Sequence, residues 1–398
     1  MKKRFLLALT VLYCMSPLLR ADKDSAFLTE PYLQNPLQNG VSIMWHTKEP
    51  AYGWVEYGTN EQFGSKADLV IDGIRNANTT LHKVRLTDLD PESTYYYRAC
   101  FKPILKFEPY EKELGEVVYS KTYTYKSIAT NRPVSCVIFN DIHQNWKLAE
   151  RLLLALGKRD YQFSIFNGDC FQDPGTKERA ISALAAYNSG VSAHSRPALY
   201  IRGNHETRGA FAKDWKTLFD FPNDSFFFSL TAGPVHFIFL DCGESTADDH
   251  PRIAGLNSFE GYREAQQAWL KQEVKSAAFL NAKYRVLVHH IPLYNYADNA
   301  GTSEPCRTLW SPILDSVPID LAISGHTHNY HSVPVNAAGN KYLVLIGGGP
   351  APPKKNRPGV VMVLSANDEQ LNVEVLNEAG ATIGNYQILA KKELKVVD

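Results

Sequence analysis

The chain is short of cysteine, net charge and long apolar runs. Six cysteines occur among 398 residues and none forms a CxxC pair, which excludes zinc knuckles and thioredoxin-type motifs. Basic and acidic residues balance at 42 each and no basic run occurs, so no nucleic-acid partner is expected. Low-complexity tracts are also absent. The composition is therefore that of a globular protein, and the length suits two domains.

The first residues are the only strongly apolar part of the chain. The basic residues 2–4 precede a nearly unbroken apolar run from Phe5 to Leu19. This pattern is typical of a secretory signal peptide, predicted over residues 1–21. An uncleaved anchor and a lipoprotein modified at Cys14 are alternatives, although the bulky Tyr13 disfavours lipidation. No later stretch reaches about 18 apolar residues. We therefore expect an exported protein, periplasmic or extracellular, with no transmembrane segment beyond the signal.

Residues 26–127 show a pattern of short strands and turns without a helical run. The predicted strands include Val41–His46, Gly53–Tyr57, His82–Leu86 and Thr94–Cys100. Strands at this spacing, with turn residues between them, predict a β-sandwich with the size of a fibronectin-type-III domain. The region contains no cluster of catalytic residue types. A structural or substrate-framing role is favoured over a ligand-binding module.

The pattern changes after a linker, Ser127–Pro133, into strands that alternate with helices. This alternation predicts a layered α/β domain over residues 133–394. The longest predicted helix runs from Phe259 to Phe279. The predicted strands are Val134–Phe139, Phe163–Phe166, Ala198–Ile201, His236–Leu240, Tyr284–Val288, Leu321–Ile323, Lys341–Ile346, Val360–Leu364 and Leu371–Leu376.

Polar side chains follow five of these strands, at the point where each strand ends. In open α/β sheets the carboxyl ends of the strands are the edge where binding sites form. We expect these side chains to meet there. In chain order they are Asp141 and His143, Asp169, Asn204 and His205, His290, and His326 and His328.

A metal centre explains this set better than any other chemistry. Several histidines at one sheet edge repel one another when charged, whereas neutral imidazoles bind a cation well. Carboxylate and amide oxygens combined with imidazole nitrogens suit zinc, manganese or iron rather than calcium. The carboxylate of Asp169 can bridge two ions about 4 Å apart, as in two-metal hydrolases.

Several short motifs together resemble those of the calcineurin-like metallophosphoesterases. They are Asp141-x-His143, Gly168–Asp169, Gly203–Asn204–His205–Glu206, His290-x-Pro292 and Gly325–His326-x-His328, over roughly residues 133–365. The preceding region is similar to the fibronectin-like domain of purple acid phosphatases, with PYLQ near Pro31 and VEYG at 55–58. The implied fold is an N-terminal β-sandwich followed by a layered αββα domain.

The resemblance also implies roles for individual residues. Two metal ions are implied, with iron, manganese or zinc the expected elements. One would bind Asp141, His143, Asp169 and His328, and the other Asp169, Asn204, His290 and His326. His290 is chosen over His289 because the family places its ligand two residues before the proline. His205 would be the general acid, and Asn204 and His205 would contact the substrate phosphoryl group.

One position departs from the purple enzymes. They carry a metal-bound tyrosine three residues after the bridging aspartate, where this chain has Gln172. In compensation His143 is present, where the purple enzymes lack a ligand. The resemblance therefore implies a generic dinuclear site without the ferric–tyrosinate centre, and we expect no purple colour.

The leading hypothesis is an exported phosphomonoesterase that acts on a small phosphorylated substrate. A metal-bound hydroxide would attack phosphorus and His205 would protonate the leaving group. A phosphodiesterase or nucleotide hydrolase on the same site is an alternative. A binding or adhesion protein with an inactive metallo-domain is another, as is a site with a single ion. The sequence leaves these alternatives open, together with the oligomeric state.

Overall fold

The computed structural model describes residues 26–37, 39–91, 93–296, 299–350 and 358–390. The predicted signal peptide, residues 1–21, lies outside these ranges, as do the last residues of the predicted second domain. No helix within the described ranges combines the length and apolar character needed to cross a bilayer.

The N-terminal region is built of strands alone. It contains ten of them: β1 (Tyr32–Leu37), β2 (Gly40–Gly58), β3 (Ser65–Ala67), β4 (Val70–Ile71), β5 (Ile74–Arg75), β6 (Thr79–Leu86), β7 (Thr94–Glu108), β8 (Glu111–Leu114), β9 (Val118–Tyr119) and β10 (Tyr123–Lys126).

The second region alternates strands with helices. Its strands are β11 (Val134–Phe139), β12 (Phe163–Asn167), β13 (Ala198–Ile201), β14 (Phe228–Ala232), β15 (Val235–Phe239), β16 (Tyr284–Val288), β17 (Leu321–Ser324), β18 (His331–Val333), β19 (Leu343–Ile346), β20 (Val360–Ala366), β21 (Gln370–Asn377) and β22 (Thr382–Leu389). Its α-helices are α1 (Trp146–Leu156), α2 (Lys177–Gly190), α3 (Phe259–Glu273), α4 (Ala277–Asn281) and α5 (Glu304–Leu314).

Strand β2 organises the N-terminal region. The predicted strands Val41–His46 and Gly53–Tyr57 are not separate, because β2 runs through both. Its first half pairs with β6 and its second half with β7, and the register shifts between His46 and Ala51. Side chains from both halves share one core with β7. The strands of this region thus bury one apolar core between them, as expected for the predicted β-sandwich.

Two six-stranded sheets form the second region. The first has the order β13-β12-β11-β20-β21-β22 and the second β14-β15-β16-β17-β19-β18. Strands β11, β12 and β13 are parallel, and so are β15, β16, β17 and β19. The strands that precede the predicted site residues therefore run in a common direction within each sheet, so their carboxyl ends lie at a common edge.

The sheets face each other, with helices outside. Phe237 and Phe239 point into the core shared with the first sheet, and the ring of Phe237 meets Phe163 at 5.8 Å edge to face. Alternate residues of the same strand point the other way, and Ile238 packs with Leu270 of α3 and Trp310 of α5. This alternation follows from the two-residue period of a strand. It confirms the predicted αββα layers.

The prediction of one helix over Phe259–Phe279 is wrong. The chain forms α3 and α4 instead, separated by a break at residues 274–276. The hydroxyl of Ser276 accepts a hydrogen bond from the backbone N–H of Phe279 at 3.1 Å. A serine in this position caps a new helix, because it satisfies a donor that the first turn leaves free. The apolar spacing alone did not reveal the break.

The two regions contact each other through a polar and apolar interface. The hydroxyl of Tyr32 donates to the carbonyl of Leu218 at 2.8 Å, and Tyr32 is fully buried in the core of the second region. The carboxylate of Asp220 accepts from Ser42 and from the ammonium of Lys83, at 2.5 and 2.9 Å. The β-rich region is therefore fixed against the domain that carries the predicted site.

The five described cysteines are free thiols and all are buried. Cys136 in particular is fully buried in β11 and its pKa is raised by that burial. Cys14 lies outside the described residues.

Candidate metal centre

The five predicted loops converge at one edge of the paired sheets and are tied together by backbone hydrogen bonds. The N–H of Asp141 donates to the carbonyl of Gly168 at 3.1 Å, and the N–H of His143 donates to that of Asp169 at 2.8 Å. The N–H of Gly325 donates to the carbonyl of His290 at 2.8 Å. Loops far apart in sequence are therefore joined in pairs, the first with the second and the fourth with the fifth.

A first group of side chains, cluster A, consists of Asp141, His143, Asp169 and His328. One ligand atom from each lies within 4.8 Å of the others. The Nε2 atoms of His143 and His328 approach to 2.9 Å, and His328 Nε2 lies 3.5 Å from Asp141 Oδ1. These four residues are the set that the sequence predicts for one ion.

A second group, cluster B, consists of Asp169, His290 and His326, with the same 4.8 Å limit between their ligand atoms. The Nε2 atom of His290 lies 3.0 Å from Asp169 Oδ2, and both side chains are buried. Asp169 is the member that clusters A and B share. A single carboxylate therefore faces both groups, as expected of a bridge.

The predicted fourth member of cluster B is Asn204, which is buried. Its Oδ1 atom has no hydrogen-bond partner among the described residues. Its neighbours fix the loop on both sides, since the N–H of Gly203 donates to Glu206 at 2.8 Å and the N–H of His205 donates to Asp169 Oδ1 at 2.8 Å. A buried amide oxygen without a donor is costly unless a ligand meets it.

The backbone of the site is strained. Non-glycine residues rarely adopt positive φ, because their Cβ atom then crowds the backbone. Such strain concentrates at functional sites and costs on the order of 1 kcal/mol or more per residue. Five members of the two clusters adopt a positive φ: Asp141 (φ 52°), His143 (50°), Asp169 (52°), His326 (69°) and His328 (53°).

Two glycines allow the loops to approach so closely. A Cβ atom on Gly168, where φ is +80°, would lie 2.4 Å from the ring of His290. One on Gly325 would lie 2.5 Å from Asp141 Oδ2. Because both contacts are far inside van der Waals distance, any side chain here would displace a cluster member.

The ring orientation of three histidines is set by hydrogen bonds at the nitrogen that faces away from the clusters. The Nδ1 atom of His290 meets the carbonyl of Asn167 at 2.9 Å, and that of His328 meets the carbonyl of Pro350 at 3.1 Å. The Nδ1 atom of His143 meets Gln172 Oε1 at 2.8 Å. Each ring therefore donates from Nδ1, which leaves Nε2 as the metal-binding nitrogen.

Burial and mutual charge move the pKa values of the site in opposite directions. Burial lowers the pKa of His143 and of His326 to about 4, so both are neutral near pH 7. Burial opposes the charged form of Asp169, but the neighbouring histidines, His290 foremost, outweigh it and hold the pKa of this carboxyl below its usual range. His143 and His326 therefore have the neutral form in which imidazole binds a cation, whereas the charges of Asp169 and Asp141 outweigh burial and raise the pKa of His290 to about 10.

The donor set fits divalent or trivalent transition metals. It combines carboxylate oxygens and imidazole nitrogens without thiolate, which suits iron, manganese or zinc. One buried polar atom at the site, Asn204 Oδ1, makes no hydrogen bond to the described residues. Metal ligation is the ordinary way to satisfy such atoms. The residues present therefore fit a pair of ions.

His205 lies at the edge of the clusters rather than within them. Its Nε2 atom is 3.9 Å from Asp169 Oδ2, and its Nδ1 atom is 2.9 Å from Asp173 Oδ1. The side chain is partly exposed, so a substrate can reach it. His289, by contrast, is fully buried and bonds through Nδ1 to the carbonyl of Ile291 at 2.8 Å, and it belongs to neither cluster.

Glu206 holds the backbone of the loop that carries Asp169. Its buried carboxylate accepts from the backbone N–H groups of Asp169, Phe171 and Gly203, at 2.9, 2.8 and 2.8 Å. Burial raises the pKa of Glu206 to about 7, and the charge of Asp169 adds to that rise while the N–H donors oppose it. The structure shows that Glu206 fixes the loops that carry Asp169 and Asn204.

A sixth loop, after β15, was missed in the sequence. It carries two buried acids, Asp241 and Glu244. Asp241 pairs with Arg202 at 2.5 Å and Glu244 with Arg208 at 2.7 Å. The signal was available, since Asp241 and Glu244 follow a predicted strand just as the other site residues do.

The comparisons with known proteins agree with this architecture. Residues 135–330 match the family described as calcineurin-like phosphoesterase, and residues 31–127 match the purple acid phosphatase N-terminal domain. Purple acid phosphatase 23 of Arabidopsis thaliana is 23% identical over 389 residues, which cover 87% of this chain and 76% of the relative. An uncharacterized protein of Mycobacterium tuberculosis is 27% identical over 230 residues, and the match covers 48% of this chain and 42% of that protein.

Two solved structures share the overall fold. The purple acid phosphatase PPD1 from yellow lupin seeds superposes with a TM-score of 0.67 and 16% identity, covering 90% of this chain and 74% of that one. A structure of PhoD gives a TM-score of 0.64 with 11% identity and covers 93% of both chains. At these identities the likeness concerns the fold.

Proposed function

Since the chain combines a calcineurin-like metallophosphoesterase domain with a purple acid phosphatase N-terminal domain, we propose that it is a dinuclear phosphomonoesterase. The observation that carries the proposal is the position of Asp169, whose carboxylate belongs to both clusters of potential ligands. One bridging carboxylate between two sets of imidazoles and carboxylates is the arrangement that two-metal phosphoester hydrolysis requires.

In this proposal cluster A binds one ion and cluster B, completed by Asn204, binds the other. The chemistry that such ions supply is polarisation of the phosphoryl oxygens and activation of a water as nucleophile. The protein residues orient the Nε2 atoms of the ligand rings, as the hydrogen bonds of His143, His290 and His328 indicate. Iron, manganese and zinc are the expected elements.

His205 is proposed as the general acid. Asp173 fixes the ring through Nδ1 at 2.9 Å, which directs Nε2 toward the side where a leaving group would stand. The backbone N–H of His205 donates to Asp169, so the acid has a set position relative to the proposed bridge. A positioned histidine of this kind accelerates hydrolysis by about 10²–10⁴-fold.

Export is also part of the proposal. The basic residues 2–4 and the apolar run after them support a signal peptide over residues 1–21. We further propose domain boundaries at 26–127 and 133–394. The β-rich domain would then frame the substrate or stabilise the fold, while the second domain performs the chemistry.

Elemental analysis of the purified protein, paired with hydrolysis of 4-nitrophenyl phosphate and of ethyl 4-nitrophenyl phosphate, tests the proposal. We expect about two ions per chain and preferred turnover of the monoester. Preference for the diester would replace the proposed function by phosphodiesterase activity. Full metal occupancy without turnover of either would point to a binding role, and absence of bound metal would overturn the proposal.

A further inference from the structure

Arg208 lies beside the proposed general acid. Its Nη1 atom is 3.2 Å from His205 Nε2, on the side of the ring opposite Asp173. The Arg208 side chain is one-third exposed. Within the described part of the chain Nη1 meets His205 alone, while the other nitrogens are engaged elsewhere. Because Nη1 carries two N–H groups, one of them remains without a partner among the described residues and can donate to a ligand beside His205.

Glu244 holds the guanidinium in this orientation. Its two oxygens accept from Nε and Nη2 of Arg208, each at 2.7 Å, in a bidentate pair. The carboxylate is buried and also accepts from the backbone N–H groups of Ser245 and Thr246, at 2.8 and 3.1 Å. Hydrogen bonds with Arg208 lower the pKa of Glu244 to about 2, although burial opposes its ionisation.

The loop that carries Glu244 is itself held by a side chain of α3. The guanidinium of Arg263, a buried residue of α3, donates to the backbone carbonyls of Cys242 and Glu244, at 3.0 and 2.7 Å. A buried arginine and a buried acid thus hold one partly exposed arginine in a fixed position. Such support is expected where a side chain must hold a set geometry.

The other arginine near this loop serves a different purpose. Arg202 is nearly buried, pairs with Asp241 at 2.5 Å and lies over the ring of Phe226 at 4.1 Å. Its guanidinium is enclosed by protein groups, so it cannot meet a substrate without disrupting the core. Of these two arginines, Arg208 is the one with a donor directed at the site.

The geometry points to Arg208 as a specificity-determining residue that donates through Nη1 to the phosphoryl oxygens and favours doubly charged monoesters over singly charged diesters. The inference rests on the proposed phosphoesterase function. Guanidinium N–H groups match phosphoryl oxygens in geometry and charge. A monoester offers one more anionic oxygen than a diester, so loss of this donor weakens the monoester transition state more.

Steady-state kinetics of Arg208→Gln tests the inference, with 4-nitrophenyl phosphate and ethyl 4-nitrophenyl phosphate as a pair that shares one leaving group. We expect kcat/KM to fall about 10- to 100-fold for the monoester and less than about threefold for the diester. Arg208→Lys should give an intermediate loss, because an ammonium keeps the charge but not the bidentate pairing.

Arg159→Gln is the matched control. Arg159, in the loop after α1, forms the same bidentate pair with Glu374 of β21, at 2.9 and 2.9 Å, and its side chain is about as exposed as that of Arg208. This variant should leave both rates unchanged. Glu244→Gln should lower the monoester-to-diester ratio while Arg208 is intact, which a purely structural role would not do.

The kinetics distinguish failure of the proposed function from failure of the assignment of Arg208. If the unaltered protein hydrolyses neither ester, the proposed function fails. If it hydrolyses the monoester but Arg208→Gln lowers both rates equally or neither, the proposed function stands and the assignment of Arg208 is overturned. Circular dichroism and metal content of each variant show that the fold and both ions are retained in the comparison.

Discussion

The backbone N–H of His205 donates a hydrogen bond of 2.8 Å to Oδ1 of Asp169. The same carboxylate faces His290 through Oδ2 at 3.0 Å and belongs to both clusters. One side chain therefore links the two potential metal positions to the loop that carries the proposed acid. A change at Asp169 should disturb all three, whereas a change elsewhere should disturb one.

Asp169→Asn should lower metal content at both positions. The amide removes the negative charge that both clusters share, so we expect well under one ion per chain in place of about two. His326→Ala and His328→Ala each remove a member of a single cluster, and each should retain about one ion. Elemental analysis measures the outcome, with His250→Ala, on the exposed surface, as the control. Retention of two ions in Asp169→Asn would contradict the bridging role.

His205→Ala should retain both ions and lose turnover. The ring lies outside both clusters, so its removal leaves every proposed ligand in place. We expect kcat for an alkyl monoester such as glycerol phosphate, whose alkoxide leaving group needs a proton, to fall about 10²–10⁴-fold. 4-Nitrophenyl phosphate, whose phenolate leaves without a proton, should lose less. Normal turnover, or loss of metal in this variant, would show that the assignment as general acid is incorrect.

Glu206→Gln should destabilise the protein. Three backbone N–H groups converge on this buried carboxylate, and the amide nitrogen of glutamine would face at least one of them as a second donor. Leaving a buried donor without an acceptor costs about 1–3 kcal/mol. Thermal unfolding measures the loss. Glu260→Gln, on the exposed first turn of α3, should change Tm little; an equal Tm for both variants would exclude the supporting role.

Two buried histidines of the β-rich region should make the fold sensitive to acid. Burial lowers the pKa of His46 to about 3 and of His82 to about 4, from an ordinary value of 6.5. Between pH 6.5 and about pH 4, the folded state therefore binds fewer protons than the unfolded state. Their contribution to stability is present above pH 6.5 and is lost as pH falls toward 4, by about 3 kcal/mol per histidine at pH 4.5.

His46→Leu tests this pH dependence. Neither ring nitrogen of His46 has a hydrogen-bond partner among the described residues, so an apolar side chain removes the proton-binding group without removing a bond. We expect the free energy of unfolding to fall less steeply between pH 6.5 and 4.5 than in the unaltered protein. His250→Gln, at an exposed site, should leave the slope as it is. An unchanged slope in His46→Leu would contradict the prediction.

Much of the second domain could be predicted because its strands are apolar runs that end abruptly in polar residues. Val134–Phe139, Ala198–Ile201 and Tyr284–Val288 were predicted with the bounds that the structure gives. Long parallel strands buried on both faces leave this signal in the sequence itself. The break at Ser276 and the continuous course of β2 left weaker signals, because caps and bends depend on a few residues.

The sequence by itself determined which residues stand at the ends of the strands, since residue type and chain direction place Asp141, Asp169 and His290 there. Only the tertiary structure decided which of them meet. Strand order sets the neighbours, and the backbone at His326 and His328 adopts positive φ, which no local preference predicts. The pairing of Arg208 with Glu244 likewise depends on two loops brought together by sheet packing. Long-range contacts of this kind carry no local signal, because the chain segments that form them are far apart in sequence.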